Sequence, residues 1–146
     1  MSKARSVAFL LFTAIVATGG LAGCGPREPA VLRFDGLYQA GPVTGDGATY
    51  WHYLRFYEDG TVLSVSSTGQ PAKVARWFQK PYESGGQWAR EDDRITFTVR
   101  GSAGNVDHEG EVLLDGLHLS IHSHINDHRR EARYEFVELE ASAAGP

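Results

Sequence analysis

The chain has 146 residues, 14 of them basic and 18 acidic, with a formal net charge of −4, a size suited to one compact domain. Lys3 and Arg5 fall in an apolar N-terminal segment, so the chain from residue 24 onward carries 12 basic against 18 acidic side chains, a charge of −6 that lacks the concentrated basic surface a nucleic-acid ligand requires. Cys24 is the only cysteine, which excludes an internal disulfide and leaves the apolar core to hold the domain together.

Residues 1–6 carry Lys3 and Arg5, and 7–17 are apolar except for Thr13, followed by Thr18, Gly19 and Gly20. This is the n-region and h-region of an export signal, and its apolar run of about 11 residues is well short of the roughly 20 a membrane span needs. Leu21, Ala22, Gly23 and Cys24 then close the segment. This ending resembles the lipobox of bacterial lipoproteins, a Leu and two small residues before an invariable Cys. The resemblance implies that the Cys24 thiol takes a diacylglycerol through a thioether and that residues 1–23 are cut away as a signal peptide. Small residues admit the backbone to a protease cleft, and the thiol supplies the nucleophile. Two or three acyl chains together make a stable anchor at about 0.8 kcal/mol per buried CH₂. Residue 25 is Gly rather than the Asp that retains Gram-negative lipoproteins at the inner membrane, so in a Gram-negative host the outer membrane is the expected destination.

Residues 24–33 include Pro26 and Pro29 without hydrophobic periodicity and read as a flexible spacer; 140–146 read as a disordered tail. The folded domain is expected over 34–139. Eight strands are predicted, at 34–40, 50–58, 61–67, 86–90, 94–100, 106–114, 117–122 and 132–139. Asp59-Gly60 and Asp115-Gly116 divide pairs of apolar runs and mark hairpins; Asp92-Asp93 and 101–105 mark two more. Ile95, Phe97 and Val99 alternate with Thr96, Thr98 and Arg100, as Leu117, Leu119 and Ile121 do with His118, Ser120 and His122, each giving one buried face. Pro71 opens a stretch over 71–79 in which Val74, Trp77 and Phe78 fall at helical spacing, predicting one short helix across an end of the sheet.

Antiparallel strands in hairpin order predict an all-β, eight-stranded up-and-down barrel, since closure removes the sheet edges. The pattern resembles the lipocalin-like (calycin) small barrels: Gly36-Leu37-Tyr38 is similar to their Gly-x-Trp element. That resemblance implies that Arg133 stacks on Tyr38, and it suggests a small apolar ligand.

Several residue groups bear on chemistry. His118, His122, His124 and His128 cluster with Asp127. On a strand His122 and His124 share a face and can chelate zinc or copper, with His128 or Asp127 returning from an exposed polar turn over 125–130 as a third ligand. Ser120, His122 and Asp127 have the residue types of a nucleophile triad, but neighbours on one strand face point in parallel rather than at each other. Asp107, Glu109 and Glu111 alternate along one strand and read as its solvated face. Trp51, Tyr53 and Tyr57 lie opposite Leu54 and Phe56 and are expected either to bind a partner or to be shielded by the spacer and the 41–49 loop.

The sequence thus leads to a membrane-anchored envelope lipoprotein whose barrel is a non-catalytic binding or interaction module, without a cofactor, contacting a small apolar ligand or an envelope protein. The competing readings are a metal-dependent or hydrolytic enzyme using the 118–128 histidines, and a structural envelope assembly factor.

Overall fold

Short turns impose the topology in the computed structural model, which describes residues 28–78 and 84–140. The strands are β1 (Gly36–Gly45), β2 (Ala48–Phe56), β3 (Thr61–Ser67), β4 (Gly85–Glu91), β5 (Arg94–Gly101), β6 (Gly104–Leu113), β7 (Gly116–Ser123) and β8 (His128–Glu138). Each is antiparallel to the next, and β8 returns to β1 to close an eight-stranded barrel. The stretches expected to form the signal segment and lipobox, and residues 141–146, lie outside the described residues. Among those described, no helix is long and apolar enough to cross a membrane.

Between β2 and β3 the chain turns through Glu58 and Asp59 and completes the reversal at Gly60, whose φ of 87° is a left-handed conformation open to glycine. At Gly110 the constraint is space: a Cβ there would overlap the backbone carbonyl oxygen of His118 on β7, so only glycine lets the two strands coil this tightly. Strand ends depart from expectation in two places. β1 runs on to Gly45 through a bulge between Ala40 and Val43, and β8 starts at His128, so the exposed turn expected over 125–130 is confined to 124–127.

Alternation places one set of side chains inside the barrel. An aromatic seam runs through it, from Phe136 to Tyr38 (ring centroids 5.1 Å apart), Phe56 (5.4 Å) and Phe97 (5.4 Å), with Trp88 edge-on to Phe56 at 6.3 Å. Each fully buried ring of this kind stabilises the fold by about 1.5–3 kcal/mol, which is how a domain without a disulfide holds together.

The N-terminal segment closes one end of the barrel. Ala30 and Leu32 are buried in the same core, Arg90 donates from Nη2 to the Ala30 carbonyl at 2.6 Å, and the Arg33 N–H donates to the Tyr38 hydroxyl at 2.8 Å. The packed domain therefore begins before residue 34, and the free spacer is shorter than its composition suggests: Leu32 gains more from burial than a proline-rich stretch loses in freedom.

The helix does not cross an end of the barrel. Pro71–Val74, continued by a 3₁₀ turn over Ala75–Trp77, lies on the outer wall of β1 to β3, where Val74 and Phe78 pack with Leu37, Tyr53, Leu63 and Val65. The Tyr53 hydroxyl donates to Gly69 O and that of Tyr57 to Phe78 O, both at 2.8 Å. Tyr53 and Tyr57 are thus covered by the 69–78 segment rather than by the spacer, while Trp51 packs against the same cluster and lies beside Gly41 of the 41–49 hairpin, because β1 to β3 present apolar residues on both faces.

The expected stacking of Arg133 on Tyr38 does not occur. Arg133 lies one residue out of phase with the inward Tyr134 and pairs outside the barrel with Asp115 at 2.7 Å. Arg33 takes a related place instead, its guanidinium 4.0 Å over the Phe136 ring that meets Tyr38.

Candidate functional site

The end of the barrel opposite the N-terminal plug is open and polar. β1 pairs with β8 only over Gly36–Gln39, leaving the first half of β8 bonded to β7 alone, and β3 pairs with β4 only over Thr61–Leu63. His52, His108, His122, His124 and His128, five of the chain's six histidines, lie toward this end.

Asp107 on β6 and His122 on β7 are direct cross-strand partners on the outer wall. The His124 backbone N–H donates to Asn105 O at 3.0 Å, extending the ladder one step and keeping His124 on the face of His122. The two imidazoles stand 4.3 Å apart. His124 donates from Nε2 to Asp107 Oδ2 at 2.6 Å, and His122 from Nε2 to Asp127 Oδ1 at 2.7 Å; carboxylate oxygens only accept, which fixes the ring nitrogens as donors. Thr98 donates from Oγ1 to Asp107 Oδ1 at 2.7 Å, so one carboxylate oxygen is occupied and the other aims at the histidines. The hydrogen bonds from His124 and then Thr98 hold the Asp107 carboxyl below the usual carboxylate range, and that from His122 does the same for Asp127.

The ligand atoms of Asp107, His122 and His124 all lie within 4.8 Å of one another, a grouping that can hold a metal ion. His122 and His124 are brought together as expected from their strand spacing. His128 does not join this group: it sits opposite Ser123 on the inward-facing register of β8, and its N–H donates to Asn126 Oδ1 at 3.2 Å. His118 is also separate, with Nε2 3.5 Å from Glu131 Oε2. Asp107, expected to be merely a solvated face, supplies the third ligand atom; Glu109 on the same strand is ion-paired with Arg94. The cluster borders a groove of about 920 Å³ whose lining includes Thr98, Phe97, Asp107 and His108.

A second group faces inward and has no counterpart in the sequence reading. His108 stacks on Phe97 at 4.5 Å, with ring nitrogen Nδ1 3.1 Å from the Val106 carbonyl, to which it donates. His52 Nδ1 is 2.7 Å from Ser66 Oγ. Burial first, then the Arg130 guanidinium, pushes the His52 pKa down to about 4; burial also brings His108 to about 4 with Arg130 contributing, and both rings are neutral near pH 7. Arg130 also hydrogen-bonds Tyr134.

No protein-family model matches the chain, and neither characterised proteins nor solved structures give a match.

Proposed function

We propose that the chain is a lipid-anchored envelope lipoprotein whose barrel is a non-catalytic interaction module, tethered at its plugged end and presenting its open, histidine-bearing end to another envelope component. The observation that carries this reading is the burial of Ala30 and Leu32 in the plugged end. Cys24 precedes Ala30 by six residues, so at about 3.3–3.6 Å per residue an acylated Cys24 keeps that end within roughly 20 Å of the bilayer. The open end then points outward.

Protein contact is favoured over carriage of a small apolar ligand because the aromatic seam from Phe136 to Phe97 occupies the interior. A passive module is favoured over a hydrolase because Ser66, hydrogen-bonded to a histidine among the described residues, faces an imidazole whose low pKa makes it a poor base near pH 7. In a Gram-negative host the barrel is held at the outer membrane, since Gly25 is not the inner-membrane retention residue.

Detergent phase partitioning tests the tether. The wild-type protein made in a bacterial host enters the detergent phase, and Cys24→Ser moves it to the aqueous phase. A Cys24→Ser protein that still enters detergent overturns the proposal.

A further inference from the structure

The geometry points to a site for a first-row divalent transition ion of the zinc–copper class, held by His122, His124 and Asp107 at the open end of the barrel. It is independent of lipid anchoring and adds a ligand to the surface the barrel presents.

Three features carry it. First, two of the residues face each other across adjacent strands, Asp107 on β6 and His122 on β7, and the third, His124, opens the turn directly after β7 and is tied by its backbone N–H to Asn105 O. A rigid sheet therefore keeps them within 4.8 Å of one another, and little ordering remains to be done when an ion binds. Second, the carboxylate is oriented from behind: Thr98 occupies Oδ1 and leaves Oδ2 turned toward the imidazoles, the arrangement by which outer partners fix a ligand. Third, two imidazoles and one carboxylate suit zinc or copper, whereas calcium and magnesium call for sets made of oxygen.

In the ion-free protein each imidazole donates its Nε2 proton to a carboxylate. An ion takes a ring nitrogen that bears no proton: at Nδ1 the lone pair is free and the Nε2–H bond to the carboxylate persists, whereas at Nε2 the proton first moves through solvent to Nδ1. The ionised Asp107 needs no proton loss, and its negative charge offsets part of the ion's. Asp127, 87% exposed on the turn, can keep or release His122 without disturbing the ladder. Three protein ligands leave a further coordination position to solvent or to a donor from a partner.

The test uses the mature protein purified in detergent without a histidine tag, stripped with chelator and titrated with Zn²⁺ by isothermal calorimetry, with circular dichroism confirming each variant's fold. The wild type is expected to bind one Zn²⁺ per chain. His122→Ala, His124→Ala and Asp107→Asn are each expected to weaken binding at least about 10-fold, and Thr98→Val about 10-fold through the loss of the oriented carboxylate. His128→Ala should bind as the wild type does. Absence of saturable binding with one ion per chain overturns the site, as does unchanged affinity in both His122→Ala and Asp107→Asn, or a loss in His128→Ala as large as theirs. Should one histidine variant fail to fold, Asp107→Asn, nearly isosteric, decides the matter.

Discussion

The backbone N–H of Arg33 donates to the hydroxyl of Tyr38 at 2.8 Å, and through that bond the chain entering the domain is fixed to a ring buried among Phe56 and Phe136. Tyr38 is 1% exposed, so its hydroxyl depends on this partner to remain satisfied. The plug is thereby part of the core, and the lipid tether proposed at Cys24 would join a structured end of the barrel.

Truncating the plug should therefore cost what a core deletion costs. Leu32→Ala is expected to destabilise the domain by about 2–4 kcal/mol, and Tyr38→Phe by about 0.5–1.5 kcal/mol, in urea denaturation. A Leu32→Ala protein with an unchanged midpoint would mean that the segment lies loosely against the barrel.

The outer-wall cluster makes a separate demand. Phe78 is buried with Val74 against Leu37, Tyr53, Leu63 and Val65, and Phe78→Ala is expected to cost about 3–5 kcal/mol. Trp77, 51% exposed one residue earlier, is the internal control: Trp77→Ala should change the urea midpoint far less.

Acid should weaken the fold through the inward histidines. His52 and His108 have pKa values near 4 in the folded protein against an ordinary 6.5. Between these values the unfolded chain binds more protons than the folded one, so stability is full above about pH 6.5 and declines as pH falls toward 4. The urea midpoint is expected to drop from pH 7 to pH 5, and His52→Gln should flatten that drop. A midpoint equally pH-dependent in His52→Gln would remove His52 as a cause.

Partner contact should map to the open end. Photo-crosslinking residues placed at the exposed Asp46 or Asn126, on the rim turns, are expected to trap envelope protein in cells, while the same group at Asp92 or Asp115, on the plugged end, should not. The reverse pattern would place the working surface next to the membrane.

The eight strands were legible because alternation and turn residues agree locally: Ile95, Phe97 and Val99, or Leu117, Leu119 and Ile121, have one face to bury. Register was less legible, and the candidate metal cluster turns on it. Taking Asp115-Gly116 as the two central turn residues puts Glu109 opposite His122. The turn is instead Leu114-Asp115, with Gly116 already in β7, which moves the pairing by two residues and brings Asp107 to His122. The inward place of His52, His108 and Arg130 was hidden for a related reason: a polar side chain on a strand reads as outward until the parity of its neighbours is fixed. His108 faces in with Ile121 and Phe97, its register partners. Nothing in the local sequence says that Val74 and Phe78 meet an outer wall, because that contact joins segments distant in the chain.

Lipid on Cys24 is the claim on which the orientation of the barrel and its place in the cell both depend, and an intact-mass measurement on protein taken from its producing cells addresses it directly. The account predicts a chain that begins at residue 24 and is heavier than its amino acids by at least a diacylglyceryl group, with the added mass on the first residue. A chain that retains residues 1–23, or one that starts at Cys24 with a bare thiol, would contradict it.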